Sequence, residues 1–197
     1  MIRTLLLSLL ASEAASLVFY VGTGGCDGAD KGCVEQPVAE KSIVAVRLDW
    51  NGTMEVIEDE VPSIATPGLP VWLTTTEGFG TTNEIFQRCL FATLADKNLV
   101  YSHSSSAQHT MYSAGVAPVF AAPANFGRTL LVANYHGPDN ANTSTGASVA
   151  SFAINSDCSL TFVDQKNHSG SSVNPARQGG AHVHSVVPVR GGLAYAC

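Results

Sequence analysis

The 197-residue sequence predicts an all-β protein built from repeated four-stranded sheets. Three observations lead to this fold class. Short β-branched and aromatic segments alternate with turns rich in Gly, Asn, Asp and Pro. The sequence carries no sustained run of apolar residues at helical spacing, and one strand-turn-strand pattern recurs along it. Together these features favour a repeat of β-sheets over a helical or mixed fold.

The clearest repeat relates residues 42–57 to residues 148–163. Each copy starts with a strand-like segment, SIVAVRLD in the first and SVASFAIN in the second, then crosses a polar turn and resumes with a second strand. A weaker middle copy spans residues 90–101. The copies lie about 45–60 residues apart, which is the repeat size of a four-stranded propeller blade.

A second pattern supplies the other strands of each repeat. Residues 120–134 and residues 183–197 both show a strand, a glycine-containing turn and a second strand. Residues 17–21 match the second of these strands, and residues 70–73 match the first. The sequence therefore predicts a partial β-propeller of about three to four blades out of an expected seven.

Two features do not fit a closed ring of blades. The polar residues 73–85 and 102–113 match no strand of the repeat, so we expect long connections there. An arc of blades would also leave an apolar face without a neighbour at each end. The chain is therefore expected to be a truncated part of a longer propeller, and a complete small β-sandwich is the alternative.

The N-terminus and the composition restrict the location and the partners. Residues 1–16 resemble a signal peptide, with Arg3 before a short apolar run, or else form an N-terminal extension of the domain at residues 17–197. A net charge of −6 argues against a nucleic-acid surface. No stretch is apolar for long enough to span a membrane. The five cysteines include no Cys-x-x-Cys pair, and Cys26 with Cys33 would close a small loop if the chain is secreted.

Three stretches resemble one family of seven-bladed propellers, the lactonases. Residues 129–137 read TLLVANYHG, residues 170–185 read GSSVNPARQGGAHVHS, and the opening YVGT at residues 20–23 is similar to that family's first strand. The family includes 6-phosphogluconolactonases, which open a sugar lactone in the pentose phosphate pathway, and carboxymuconate cyclases, which close a lactone ring. The resemblance therefore implies lactone chemistry without its direction.

The candidate catalytic residues are His182, His184 and Arg177. The two histidines are two apart on an expected strand, so both side chains would point to one face, toward the central channel. Neutral imidazoles there would act as general base or acid. The Arg177 guanidinium would hold the anionic group of the substrate or offset the charge of an oxyanion. The alternative for all three is an ordinary structural or surface role.

Substrate binding is assigned to Arg177, Gln178, Asn134 and His136. Asn134 and His136 follow one predicted strand directly, and loops at strand ends are where rigid scaffolds place functional groups. The expected ligand is a small anionic lactone or carboxylic acid, bound without a cofactor; zinc on three histidines is a weaker alternative, since no carboxylate lies at supporting spacing. A complete propeller is expected to be monomeric.

Three functions stay open at this point. The first is a lactone hydrolase resembling 6-phosphogluconolactonase, the second is a cyclase of the carboxymuconate type, and the third is a secreted propeller that binds a ligand without catalysis. The first would place the protein in the cytosol, whereas the signal-like N-terminus would direct it to the secretory pathway.

Overall fold

The computed structural model describes residues 17–22, 43–76, 89–136, 146–176 and 178–197. Several predicted features lie outside these residues, namely the signal-like segment 1–16, the Cys26 and Cys33 loop, and Arg177. The described residues form thirteen β-strands and no helix. The strands are β1 (Leu17–Gly22), β2 (Ile43–Leu48), β3 (Met54–Val56), β4 (Pro70–Thr75), β5 (Leu90–Leu94), β6 (Leu99–His103), β7 (Gln108–Tyr112), β8 (Val116–Ala124), β9 (Thr129–His136), β10 (Ala147–Ile154), β11 (Leu160–His168), β12 (Val186–Val189) and β13 (Leu193–Ala196).

The strands assemble into four antiparallel sheets in which neighbours in sequence are neighbours in space. Sheet 1 has the order β1-β2-β3, sheet 2 the order β4-β5-β6-β7, sheet 3 the order β8-β9-β10-β11 and sheet 4 the pair β12-β13. Each sheet is therefore a simple meander, as in a propeller blade. The prediction of an all-β protein made of repeated sheets is confirmed.

The sheets pack face to face, with their first strands closest together. Strand β4 contacts β8, and β8 contacts β12. The second strand of one sheet also contacts the first strand of the next, since β5 contacts β8 and β9 contacts β12. Strand β1 contacts β4 in the same manner, so β1 corresponds to β5 and β9. The described residues thus form a partial propeller of three to four blades, as the repeat predicts.

An apolar layer separates each pair of adjacent sheets. Ile43 of sheet 1 is buried against Leu90 and Leu94 of sheet 2, and Val186 of sheet 4 is buried with Ala133 of sheet 3. Between sheets 2 and 3 lies the largest layer, whose fully buried side chains include Phe91, Val100, Leu130, Val132 and Phe152. Burying one such aromatic or aliphatic side chain stabilises the fold by about 1.5–3 kcal/mol, so these layers hold the arc together.

A disulfide crosses the layer between sheets 2 and 3. It joins Cys89, just before β5, to Cys158, in the turn between β10 and β11, and the two cysteines are 69 residues apart. Both are almost fully buried. The sequence left the pairing of these cysteines open, because connectivity follows from the tertiary fold and not from spacing.

Two details of the repeat differ from the sequence-based expectation. Strands β2-β3 and β10-β11 are the last two strands of their sheets, but the middle copy at residues 90–101 forms β5-β6, the two central strands of sheet 2. Its alignment was therefore wrong by one strand. All three pairs are hairpins with apolar residues, and a hydrophobic pattern alone does not show the place of a hairpin within its sheet.

The two polar stretches also contain strands where long connections were expected. Residues 73–75 belong to β4, and residues 108–112 form β7, the edge strand of sheet 2. Exposure alternates along β7 and its apolar content is low. An edge strand with solvent on one side is held mainly by its backbone ladder, so it needs no apolar run.

Candidate functional site

Four ring side chains gather at one end of sheets 3 and 4. Tyr135 and His136 end strand β9, and His182 and His184 precede strand β12. The imidazole of His182 stacks on the Tyr135 ring with centroids 4.3 Å apart and planes 12° from parallel. The His136 ring meets His182 edge to face at 5.3 Å. The chain thus brings together aromatic groups about 47 residues apart in sequence; we call these four residues the ring cluster.

The backbone of β9 sets the tautomer of His182. Its Nδ1 lies 3.1 Å from the carbonyl oxygen of Tyr135. A carbonyl oxygen only accepts hydrogen bonds, so Nδ1 carries the proton and donates it. In the neutral ring, Nε2 then keeps its lone pair and serves as the proton acceptor. His182 is half-buried and is held by both the hydrogen bond and the stack, so its acceptor nitrogen has a defined direction.

His136 is the member of the ring cluster whose own positive charge is disfavoured. Burial, and secondarily the nearby His182 ring, lowers the pKa of His136 from its ordinary value. Its Nδ1 is buried and has no hydrogen-bond partner among the described residues. Burial and the neighbouring His182 ring both favour the neutral form of the His136 imidazole. His136 therefore contributes a neutral ring to the cluster rather than a permanent positive charge.

His184 reaches the same tyrosine from another side. Its ring meets the edge of Tyr135 at 6.2 Å, with the planes 85° apart, and the residue is exposed. The expectation that His182 and His184 lie on a strand is wrong, because residues 181–185 have no strand conformation and β12 begins at Val186. The two imidazoles still converge, since each contacts Tyr135 from its own side.

Asn134 directly precedes Tyr135 in β9 and is completely buried. Its Nδ2 donates to the carbonyl oxygen of Ser113 at 3.0 Å and to the Ser148 Oγ at 3.1 Å. These bonds tie β9 to β10 and to the link between sheets 2 and 3. Although the sequence assigned Asn134 to substrate binding, its amide is directed into the protein, and the geometry supports a positioning role for β9 and hence for Tyr135 and His136.

Gly115 leaves no room for a side chain beside the buried amide of Asn134. A Cβ added at Gly115 would lie 2.5 Å from the Asn134 Cγ, whereas a Cβ at Gly170 would meet nothing within 4 Å. Gly115→Ala is therefore expected to lower the free energy of unfolding by about 1–3 kcal/mol through overpacking. Gly170→Ala, the matched control, should change it by less than about 0.5 kcal/mol. Urea titration measures both changes. Equal changes for the two variants would show that the Asn134 side chain can shift without a loss of stability.

The loop that carries Gln178 closes on itself. The backbone N–H of Asn174 donates to the Gln178 Oε1 at 3.1 Å, and the Asn174 Oδ1 accepts from the Ala176 N–H at 3.1 Å. Ser172 N–H also donates to the Gln178 carbonyl oxygen at 3.0 Å. Gln178 is exposed, but its side-chain oxygen accepts a hydrogen bond from within the same loop. Arg177, directly before it, lies outside the described residues.

Tyr135 is the member of the cluster that sequence reasoning did not single out as functional. The pattern Asn134-Tyr135-His136 at a strand end contained a signal, because an aromatic ring beside a histidine offers a stacking surface. Its partner His182 is remote in sequence, however, so the contact was not foreseeable. Among the described residues no group of three or more His, Cys, Asp or Glu side chains is arranged to hold a metal ion. The same residues contain no helix that is long and apolar enough to cross a membrane.

Comparison with known proteins adds a family and two solved structures. Residues 90–194, just over half of the chain, match the family described as lactonase, 7-bladed beta-propeller. A search of curated proteins finds no match. A protein from Lactobacillus plantarum is 14% identical with a TM-score of 0.61, over 93% of this chain and 46% of that one. A periplasmic gluconolactonase of Pseudomonas aeruginosa is 22% identical with a TM-score of 0.61, over 92% and 47%.

The two solved proteins are similar to this chain in fold. At these identities they show a shared propeller-type arrangement of sheets. The chain spans slightly less than half the length of both solved proteins. The matched family segment contains β5 to β12 and the first half of β13, and with them every member of the ring cluster.

Proposed function

This chain belongs to the lactonase family of seven-bladed β-propellers, and on that premise we propose that it acts in opening a sugar lactone to its acid. The proposed substrate is 6-phosphogluconolactone, an intermediate of carbohydrate metabolism in the pentose phosphate pathway. The observation that carries the proposal is the fixed tautomer of His182, which leaves one imidazole nitrogen available as a base.

The proposed reaction uses His182 as the general base. Its Nε2 takes a proton from a water molecule while the water oxygen bonds to the lactone carbonyl carbon. The tetrahedral intermediate then collapses with cleavage of the ring C–O bond, and the imidazolium returns the proton to the leaving oxygen. One water is consumed and one hydroxy acid is formed. A lactone is a reactive ester, so the reaction requires no covalent enzyme intermediate.

The neighbours of His182 support this role in different ways. The Tyr135 carbonyl oxygen and ring fix the imidazole direction, and a fixed direction lowers the entropic cost of proton transfer. His136, whose pKa is lowered by burial, adds an unprotonated ring and no charge. His184 is exposed beside Tyr135, where it would contact substrate hydroxyl groups. The contribution of Gln178 would be a hydrogen bond from its amide nitrogen.

The proposed role of Arg177 is to bind the anionic group of the substrate, and this role can be tested with two lactones that differ in charge. The chain is assayed by acid release from gluconolactone, which is neutral, and from 6-phosphogluconolactone. We expect Arg177→Ala to lower kcat/KM for the phosphorylated lactone by roughly 100-fold, as loss of a charge-assisted contact of about 2–3 kcal/mol implies. The neutral lactone should be affected less. Arg190→Ala in the exposed turn between β12 and β13 is the matched control.

The outcomes of this assay separate the three functions. No acceleration of either lactone by the unaltered chain would overturn the proposal. Consumption of a muconate-type diacid in its place would indicate lactone formation, and ligand binding without turnover would indicate a binding module. Equal activity of the Arg177→Ala variant and the unaltered chain would remove Arg177 from the site.

A further inference from the structure

The turn between β2 and β3 carries an acceptor triplet for N-linked sugars. Residues 51–53 read Asn-Gly-Thr, which fits the pattern Asn-x-Ser/Thr without proline in the middle. All three residues are exposed. The backbone N–H of Asp49 donates to the carbonyl oxygen of Thr53 at 2.9 Å, and the Gly52 N–H donates to the Asp49 carbonyl oxygen at 2.9 Å. The triplet therefore forms the exposed tip of a closed hairpin.

The side-chain amide of Asn51 is held in a conformation that suits this modification. Its Oδ1 accepts a hydrogen bond from the Thr53 backbone N–H at 2.9 Å. This contact uses the oxygen of the amide and not Nδ2, the nitrogen to which an N-linked sugar is joined. A Cβ added at Gly52 would meet nothing within 4 Å, and Trp50 is 81% exposed. The described residues therefore leave room for a bulky group at Asn51.

Two further triplets of this pattern begin at Asn142 and Asn167. Asn142 lies outside the described residues. Asn167 is exposed but lies within β11, where it pairs with Ser148 of β10, and its Oδ1 accepts from the Gln165 Nε2 at 3.1 Å. Because N-linked sugars are typical of surface loops, Asn51 at a hairpin tip is a better acceptor than Asn167 in a strand ladder.

The disulfide between Cys89 and Cys158 indicates the compartment in which such a transfer takes place. Disulfides persist in secreted proteins and in the lumen of the endoplasmic reticulum, and they are rare in the cytosol. N-linked sugars belong to proteins of the same route. The signal-like residues 1–16, which lie outside the described residues, would direct the chain there. The disulfide and the triplet are thus two independent indications of the secretory pathway.

Asn51 lies at the end of its sheet that is opposite to the end carrying the ring cluster. Tyr135 and His136 end β9, and β1 corresponds to β9 in sheet 1. The last residue of β1, Gly22, pairs with Ile43 at the start of β2, so the turn that follows β2 lies at the other end of these strands. A sugar at Asn51 would therefore lie away from the ring cluster.

We propose that Asn51 is an N-glycosylation site, modified when the chain enters an oxidising secretory pathway. The donor is an oligosaccharide joined through a diphosphate to a lipid. The Asn51 Nδ2 forms a bond to the anomeric carbon of the sugar, and the bond from that carbon to the diphosphate oxygen breaks. The proton lost from Nδ2 goes to the released lipid diphosphate. This inference does not rest on the proposed lactone reaction, since the hairpin and the disulfide carry it.

The test expresses the 197-residue chain with its own N-terminus in a eukaryotic secretory host. In the double variant Asn142→Gln with Asn167→Gln, the triplet at Asn51 is the one that remains in the sequence. Digestion with peptide N-glycosidase should remove the mass of one oligosaccharide from the secreted double variant, and peptide mass spectrometry should then read residue 51 as aspartate. The same mapping of residue 51 in the unaltered chain replaces this measurement if the double variant does not fold.

Two substitutions at Thr53 provide a matched pair. Thr53→Ala removes the hydroxyl group that the triplet requires and keeps the backbone N–H that holds the Asn51 Oδ1, so the glycosylated fraction of Asn51 should fall at least about 10-fold. Thr53→Ser keeps the hydroxyl group and should keep the sugar. Circular dichroism establishes that both variants are folded. A secreted chain without sugar at residue 51, an unchanged sugar in Thr53→Ala, or a folded chain that stays in the cytosol would each contradict the proposal.

Discussion

Replacing His182 with alanine is expected to lower kcat for the proposed lactone hydrolysis by about 10²–10⁴-fold, the usual contribution of a general base. The reason is geometric. His182 is the imidazole whose Nδ1 proton is held by the Tyr135 carbonyl oxygen, so the lone pair of its Nε2, the proposed base, has a fixed direction. Loss of the ring removes the proton acceptor and leaves substrate binding largely intact, so KM should change much less than kcat.

Two other histidine variants make this expectation specific. His184→Ala removes an exposed ring at the edge of Tyr135 and should reduce kcat by less than His182→Ala. His168→Ala, at the exposed end of β11, is the control and should leave activity unchanged. Steady-state kinetics of the three purified variants decide the matter. If His182→Ala kept at least half of the original kcat, the base would have to be sought elsewhere.

Removing the disulfide between Cys89 and Cys158 is expected to cost roughly 2–5 kcal/mol of the free energy of unfolding, the usual effect of losing a native disulfide. The two cysteines are 69 residues apart and connect sheet 2 to sheet 3 within the largest apolar layer. The bond therefore restricts a long loop of the unfolded chain and holds two sheets together. Urea titration of the double variant Cys89→Ala with Cys158→Ala measures the loss.

Cys197 provides a matched control for the disulfide variant. It is a free, exposed cysteine outside the apolar layers, so Cys197→Ala should change the free energy of unfolding by less than about 0.5 kcal/mol. Adding a thiol reductant to the unaltered chain should reproduce the effect of the double variant. An unchanged urea midpoint in both experiments would contradict a stabilising role for this bond.

The sequence by itself determined the fold class, the repeat and most of the strands. Residues 43–57 and 148–163 form the hairpins that their alternating apolar pattern predicts, as do residues 120–134. Such patterns are local, since a residue two positions away on a strand shares its face and its degree of burial. The stretch with His182 and His184 also pointed to the region where the ring cluster is found.

Only the tertiary structure decided which groups meet. It placed His182 on Tyr135, directed the Asn134 amide into the protein and joined Cys89 to Cys158. It also moved the middle repeat by one strand and made an edge strand of the polar residues 108–112. The physical reason is that contacts between sheets depend on long-range stacking and register, which the neighbours of a residue along the chain do not encode.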